Sequence, residues 1–484
     1  MKSILTIGLT ALVLSSSLGA QSAAVRPGDD LVGLWGSEVE LGPQVHGEIT
    51  LERGAERWTL RVAGFEATAP VTGDSIRIVM AGGQGELNAH VERGATGTVI
   101  RGFWVQPGGN LSPYATPVRF ARARDGAWTG TVDPVYDRFS LYLQVQRQAD
   151  GSLKGVLRNP EMNWNGRAPW FRIVRDGDNV GFMDPATGKQ RFRQTYDSAQ
   201  RQILFDFDGP VILRPRHADQ VVGFFPRPPS APPYQYRVPL LRGDGWQVAS
   251  AASVGLDEAQ LQSLVQRIAG ADPATDSAPL IHSVLIARHG KLVLDEYFMG
   301  QSPDLLHDLR SASKTFTSVM AGVAMDRGAP FTTSTPVLSL FPRVAPPADG
   351  DQRRSLITVG HLMTHSTGLS CDDNSDESPG NEDTMQSQSK EPDWYRYILN
   401  LPMAHDPGSL YAYCSGGINL TGGVISHTTK TWLPDFFDRY IARPLQIDHY
   451  GMNLMPTGEA YGGGGVRMRS RDLLKFGQLY LNGG

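Results

Sequence analysis

The chain has 484 residues, and at about 100 to 200 residues per domain that leaves room for two or three buried cores. Charged residues make up 19% and the formal net charge is −4. With no basic block, this balance offers no electrostatic footprint for nucleic acid or for an anionic membrane surface, and it suits a neutral or small polar substrate better.

The chain opens MKSILTIGLTALVLSSSLGA. Lys2 supplies a positive start, Ile4 to Leu18 an apolar run, and Leu18-Gly19-Ala20 a small-residue cleavage site, so residues 1–20 read as a signal peptide. The apolar run is shorter than the roughly 20 residues that span a bilayer, and no cysteine follows it to carry a lipid. The sequence therefore predicts an exported protein, periplasmic or secreted, with no membrane span once the signal is cleaved.

Residues 31–225 carry a β pattern. Trp58, Leu60 and Val62 alternate with polar neighbours, as do Phe139, Leu141, Leu143 and Val145, and period two marks half-buried strands. Asp125-Gly126, Asp150-Gly151 and Asp176-Gly177 fall between such runs, where hairpin connections belong. An antiparallel barrel or sandwich is predicted. Trp35, Trp104, Trp128, Trp164 and Trp170 read as its core rather than as a ligand pocket, and Gly33-Leu34-Trp35 resembles a lipocalin opening.

Residues 226–239, PRPPSAPPYQYRVP, hold six prolines and read as a stiff, extended linker between domains. Beyond it Leu261, Leu264, Val265 and Ile268 stand at helical spacing, and SVLIAR and KLVLDEYF flank His289-Gly290 as a hairpin. Helix, strands and helix again predict an α/β (α+β) domain over 250–484.

The chemistry is predicted around Ser311. Phe316, Val319, Met320, Val323 and Ala324 form one apolar stripe ending at Gly328, which puts Ser311 at a helix start and Lys314 one turn later. Residues three apart on a helix are neighbours, so the Lys314 amine can reach the Ser311 hydroxyl, which is a poor nucleophile until a base takes its proton. Backbone N–H groups at a helix start also lie well for a developing oxyanion. Ser-x-x-Lys alone is a weak signal. Ser387 and Lys390 repeat it in a polar stretch with no apolar face behind, which reads as a solvated loop.

Several ordered segments carry a resemblance. HDLRSASKTFTS, ITVGHLMTHSTGL, PGSLYAYCSGGINLTGGVI and GGGGVRMRSRDLLKFGQLYLNGG are similar to successive segments of the class C β-lactamases, penicillin-binding proteins and esterase-like serine hydrolases. The resemblance covers roughly residues 254–484. It implies a nucleophile at Ser311, a base at Lys314, and a proton-shuttling tyrosine at Tyr413, in the reaction class of acyl transfer to water through an acyl-enzyme. Ser415 stands where the family's Tyr-x-Asn motif has asparagine, and is the expected substrate-binding position. That departure leaves a β-lactam, a carboxylic ester or a D-amino-acid peptide as the small-molecule or peptide substrate, with no cofactor. Cys371 and Cys414 border two of these segments and are expected to pair, tying them together. The family's third motif, Lys-Ser/Thr-Gly or His-x-Gly, is not found between Tyr413 and Gly484. On that count the domain is expected to be C-terminally incomplete, and weakly active or unstable unless something supplies the rest.

Other readings are weaker. His361 and His365 share a helix face and precede Asp372, Asp373 and Asp376, but no glutamate follows His361 as the zinc-protease pattern requires, so no metal is expected and His365 is read as packing in a turn. Tyr480-Leu481-Asn482 also fits Tyr-x-Asn and is read as helix packing. No Gly-x-Ser-x-Gly elbow and no phosphate loop occur. The contrasting hypothesis is a non-catalytic binding protein, in which a β domain recognises a glycan or peptide beside an inactive hydrolase-like module. The sequence sets no oligomeric state.

Overall fold

The computed structural model describes residues 26–484 except 41–44, 96, 108–112, 125, 136–137, 162–169, 207–209, 276–279 and 345–349. The expected signal peptide, Asp125 and Trp164 lie outside the described residues.

Gly33–Glu40 opens a closed barrel of eight strands. It pairs antiparallel with Arg138–Arg147, Gly33 opposite Val145 and Glu40 opposite Arg138. The remaining strands run up and down in chain order until Pro210–Arg216 closes back on the first. Trp35, Leu143, Phe171, Phe182, Tyr196 and Phe205 are buried in its interior, so side chains fill it as they do in other small barrels.

Between the first two barrel strands the chain builds a second β unit, from Gly47–Arg53 to Trp128–Val132. Its own core holds Trp58, Leu60, Ile78, Leu87, Trp104 and Val118. Trp35, Trp104 and Trp128 are thus core residues. Alternation reports which face of a strand is buried, not which strand it pairs with. The sequence accordingly reads as one β domain where the chain forms two units with separate cores.

The inserted sheet runs on into the C-terminal half. Tyr114–Arg122 pairs with Tyr450–Asn453, which pairs with Arg467–Met468, which pairs with His307–Asp308. An 11-stranded sheet therefore ends two residues before Arg310 and three before Ser311. Arg443 adds a bidentate ion pair to Glu92 of the inserted sheet, at 2.8 and 3.0 Å.

The proline-rich segment has no regular secondary structure, yet it is anchored rather than free. Met299 N–H donates to Pro226 O at 2.9 Å, and Tyr234 is buried with Val265, Leu294 and Phe298. The predicted helix forms over Glu258–Ala269, capped by Asp257. The predicted hairpin forms between Ser283–Arg288 and Lys291–Tyr297, with His289 and Gly290 both in the left-handed region that a tight hairpin turn needs.

The C-terminal α/β unit is organised around Ser415–Thr429, a helix buried continuously from Ser415 to Ser426. A helix buried on all sides must be apolar or small all round, and its glycines meet that demand. A methyl group on Gly423 would lie 2.9 Å from both Phe341 and Tyr395. Among the described residues no helix is long and apolar enough to cross a membrane.

Candidate active site

Ser311 lies in the 3-10 turn Arg310–Ser313, directly before the helix Lys314–Asp326. Arg310 holds a left-handed conformation, φ 45°, which a bulky residue adopts only where the surroundings impose it. Here Asp308 Oδ1 accepts the Arg310 N–H at 2.9 Å, and Asp308 Oδ2 pairs with Arg310 Nε at 3.0 Å.

Lys314 Nζ donates to Ser311 Oγ at 2.9 Å and to the Gly463 carbonyl at 2.6 Å. That carbonyl belongs to a glycine-rich strap seamed to the same helix. Thr317 Oγ1 donates to Gly462 O at 2.7 Å, Ser313 Oγ accepts the Val466 N–H at 3.0 Å, and Gly465 N–H donates to Arg310 O at 3.2 Å. Glycine is required where the strap passes close: a Cβ on Gly463 would lie 2.7 Å from the Ser415 carbonyl.

The Tyr413 ring centroid is 5.0 Å from Lys314 Nζ. The ring also stacks on His365, centroids 4.8 Å apart. His365 Nδ1 accepts the Cys414 N–H at 3.0 Å, which leaves its proton on Nε2. Burial first, and then the charge of Lys314, hold His365 below the usual histidine range. His361 Nδ1 accepts the Thr358 N–H in the cap of helix Val359–Met363. Both histidines therefore have structural roles, His365 in the turn after a short helix as the sequence suggests.

The disulfide Cys371–Cys414 is present and buried, and it fastens the His365 loop to the Tyr413 segment. Asp373 reinforces the join. Its N–H donates to Tyr413 O at 2.7 Å, and its Oδ2 accepts the Ser415 N–H at 2.8 Å. Ser415 itself is fully buried in the first turn of its helix, and its hydroxyl has no partner among the described residues.

Glu382 was not singled out by any spacing in the sequence. It is half-buried, receives the Tyr461 hydroxyl on Oε1 at 2.6 Å, and lies within the field of Lys314. Burial raises its pKa above the ordinary glutamate range, against the opposing effects of Tyr461 and Lys314. Asp373 Oδ1 accepts its N–H at 2.9 Å. Asp373 comes from a loop, Glu382 from the start of a short helix, and Tyr461 and Gly463 from one glycine-rich segment, and only the glycine run marks itself in the sequence.

The structure leaves the two other motif matches outside this cluster. Ser387 closes a one-turn helix, Glu382–Ser387, where the sequence suggests a loop, and both Ser387 and Lys390 are exposed. Tyr480 lies in the last turn of helix Ser470–Leu481 and is 60% exposed.

Comparison with known proteins meets this geometry. The family described as Beta-lactamase matches residues 278–484. This segment is a serine β-lactamase-related domain. The 6-aminohexanoate-dimer hydrolase of Paenarthrobacter ureafaciens is 24% identical over 214 residues, covering 41% of this chain. The chain spans about half of that curated relative's length, 52%. A solved Bacillus anthracis structure, provisionally assigned as a 6-aminohexanoate-dimer hydrolase, is 19% identical, covers 42% of this chain and 54% of its own, and gives a TM-score of 0.36. EstCE1, described as a hydrolase with promiscuous acyltransferase activity, is 21% identical, with coverages of 40% and 65% and a TM-score of 0.33. The β-lactamase-related segment is preceded here by a closed β barrel and its inserted sheet.

Proposed function

We propose that this protein is an exported serine hydrolase that cleaves an ester or amide through an acyl-enzyme on Ser311. The observation that carries the reading is the Lys314 amine, 2.9 Å from the Ser311 hydroxyl and held there by the Gly463 carbonyl. In its neutral form the amine offers a lone pair to the hydroxyl proton while one N–H keeps Gly463 O. Ser311 Oγ then attacks the substrate carbonyl carbon. Tyr413, beside Lys314, passes the proton to the departing amine or alcohol, and water releases the acyl group by the reverse proton path. Ser415 is assigned to the substrate side as the counterpart of the family's asparagine. The substrate is a small molecule or peptide: a carboxylic ester, a β-lactam or a D-amino-acid peptide. Export is supported by the signal-like residues 1–20 and by a buried disulfide, which persists in oxidising compartments.

The test is intact-protein mass after incubation with a fluorophosphonate or a penicillin. A single covalent adduct is expected on the wild type and none on Ser311→Ala. Lys314→Ala is expected to keep its thermal stability while its labelling rate falls by about 100-fold or more, the scale on which positioned bases act. A folded wild type that takes no adduct would replace this reading with that of a binding protein.

A further inference from the structure

The barrel reaches the Ser311 turn through a line of polar groups that the hydrolytic mechanism does not use. Arg158, the last residue of the barrel strand Leu153–Arg158, is buried and has no carboxylate partner among the described residues. Its Nε donates to Gly223 O at 3.0 Å, and its terminal nitrogen lies 3.3 Å from His282 Nε2. His282 Nδ1 lies 2.6 Å from His307 Nε2, and His307 Nδ1 lies 3.0 Å from Asp308 O.

The chemistry of these groups fixes every proton in the line. A guanidinium has donors only, so His282 Nε2 accepts from Arg158 and the His282 proton sits on Nδ1. That proton points at His307 Nε2, so the His307 proton sits on its own Nδ1 and is donated to Asp308 O. The same Asp308–Leu309 peptide is held from its other side, where Leu309 N–H donates to Val466 O at 3.0 Å. Beyond it the Asp308 carboxylate holds Arg310 in its left-handed conformation, one residue before Ser311.

We propose that Arg158 is a positioning residue for the nucleophile: through an uncharged, one-way relay of His282 and His307 it orients the Asp308–Leu309 peptide and hence the Ser311 turn. The barrel is then a working part of the active site. This rests on Ser311 being the nucleophile. The relay admits no added proton. A second proton on His282 would face the Arg158 guanidinium, and one on His307 would face the His282 N–H. The other charged groups nearby are Asp308 and, ion-paired to it, Arg310 and Arg467. Burial, and then the neighbouring His307 and Arg158, push His282 down to about 3, which keeps it uncharged where the relay must operate.

Two measurements test this. The first is nitrogen-15 NMR of histidine-labelled full-length protein, with signals assigned through His282→Asn and His307→Asn. Both rings are expected as Nδ1–H tautomers at about pH 8, and His282 is expected to stay neutral down to about pH 5. An Nε2–H tautomer on either, or an ordinary histidine titration of His282, would overturn the relay. The second compares turnover of p-nitrophenyl acetate by wild type, Arg158→Met and Arg158→Lys. The methionine variant is expected to lose about tenfold or more in kcat with KM changed less than about twofold, as for a misplaced nucleophile, and lysine, still a buried donor, to recover part of it. An unchanged kcat in a folded Arg158→Met overturns the positioning role. Should methionine prevent folding, the partial kcat loss of Arg158→Lys and the wild-type tautomers decide. A wild type that neither turns over nor takes a fluorophosphonate removes the catalytic premise, and the NMR arm still shows whether the relay exists.

Discussion

Glu382 sits in an environment that its charged form does not prefer. Burial penalises its carboxyl for ionising and Asp373 adds to the penalty, so its pKa rises although the Tyr461 hydroxyl and Lys314 oppose the shift. The folded protein therefore holds this proton more tightly than the unfolded chain. The corresponding stability is fully present below the unfolded pKa and is lost as pH rises through the folded one. Glu382→Gln keeps an acceptor for the Tyr461 hydroxyl and removes the charge. The melting temperature of Glu382→Gln minus that of wild type should accordingly grow between about pH 4 and pH 8; a difference that stays flat or shrinks would mean that Glu382 is ionised without penalty. The same residue shows the limit of sequence reading at this scale. Ser311 and Lys314 are legible because a helix puts positions three apart on one face. Glu382 and Asp373 reach Tyr461, Ser415 and Tyr413 across long separations in the chain, and no periodicity encodes such meetings.

At the scale of elements, the glycine-rich strap from Gly462 to Gly465 matters as a shaped surface. It offers successive carbonyls to Thr317 and Lys314, one turn apart on their helix, and it can do so only by passing close to Ser415. Gly463→Ala would place a methyl 2.7 Å from the Ser415 carbonyl, a backbone atom in a fully buried turn. Overpacking of this kind costs about 1 to 3 kcal/mol, and relief by moving the strap would carry the Lys314 carbonyl partner with it. A lower melting temperature together with slower fluorophosphonate labelling is expected. Gly477→Ala is the control, since a Cβ there meets open space in the middle of a helix; that substitution should be neutral or stabilising by up to about 1 kcal/mol. A Gly463→Ala protein that labels at the wild-type rate would show that the carbonyl does not set the amine's position. The strap's composition is plain in the sequence, and so is the hairpin at His289-Gly290. What the composition does not disclose is that the strap lies across the start of the helix that carries Lys314.

At the scale of the whole molecule, the β half and the hydrolase half share a core. On the inserted strand Gly97–Gln106 successive residues point to opposite faces, and both faces are buried. Trp104 packs into the inserted unit's own core, whereas Phe103 belongs to the core of the hydrolase unit, edge-on to Trp432 at 5.4 Å and to Tyr450 at 6.3 Å. Period two marks such a strand as β but cannot announce a two-sided burial whose second side is supplied some 330 residues later, the separation from Phe103 to Trp432. The consequence is measurable. Phe103→Ala removes a buried ring from the hydrolase core, at about 3 to 5 kcal/mol, although the substitution lies in the β half. With about 2 to 4 °C per kcal/mol for a unit of this size, the temperature at which fluorophosphonate labelling is half lost should fall by about 6 °C or more. Independent halves would instead leave that temperature where it is while proteolysis of the inserted sheet sets in early. The expected result is that loss of labelling and proteolysis of the inserted sheet move down together, because the sheet that begins in the insert ends at the residues that hold the Ser311 turn.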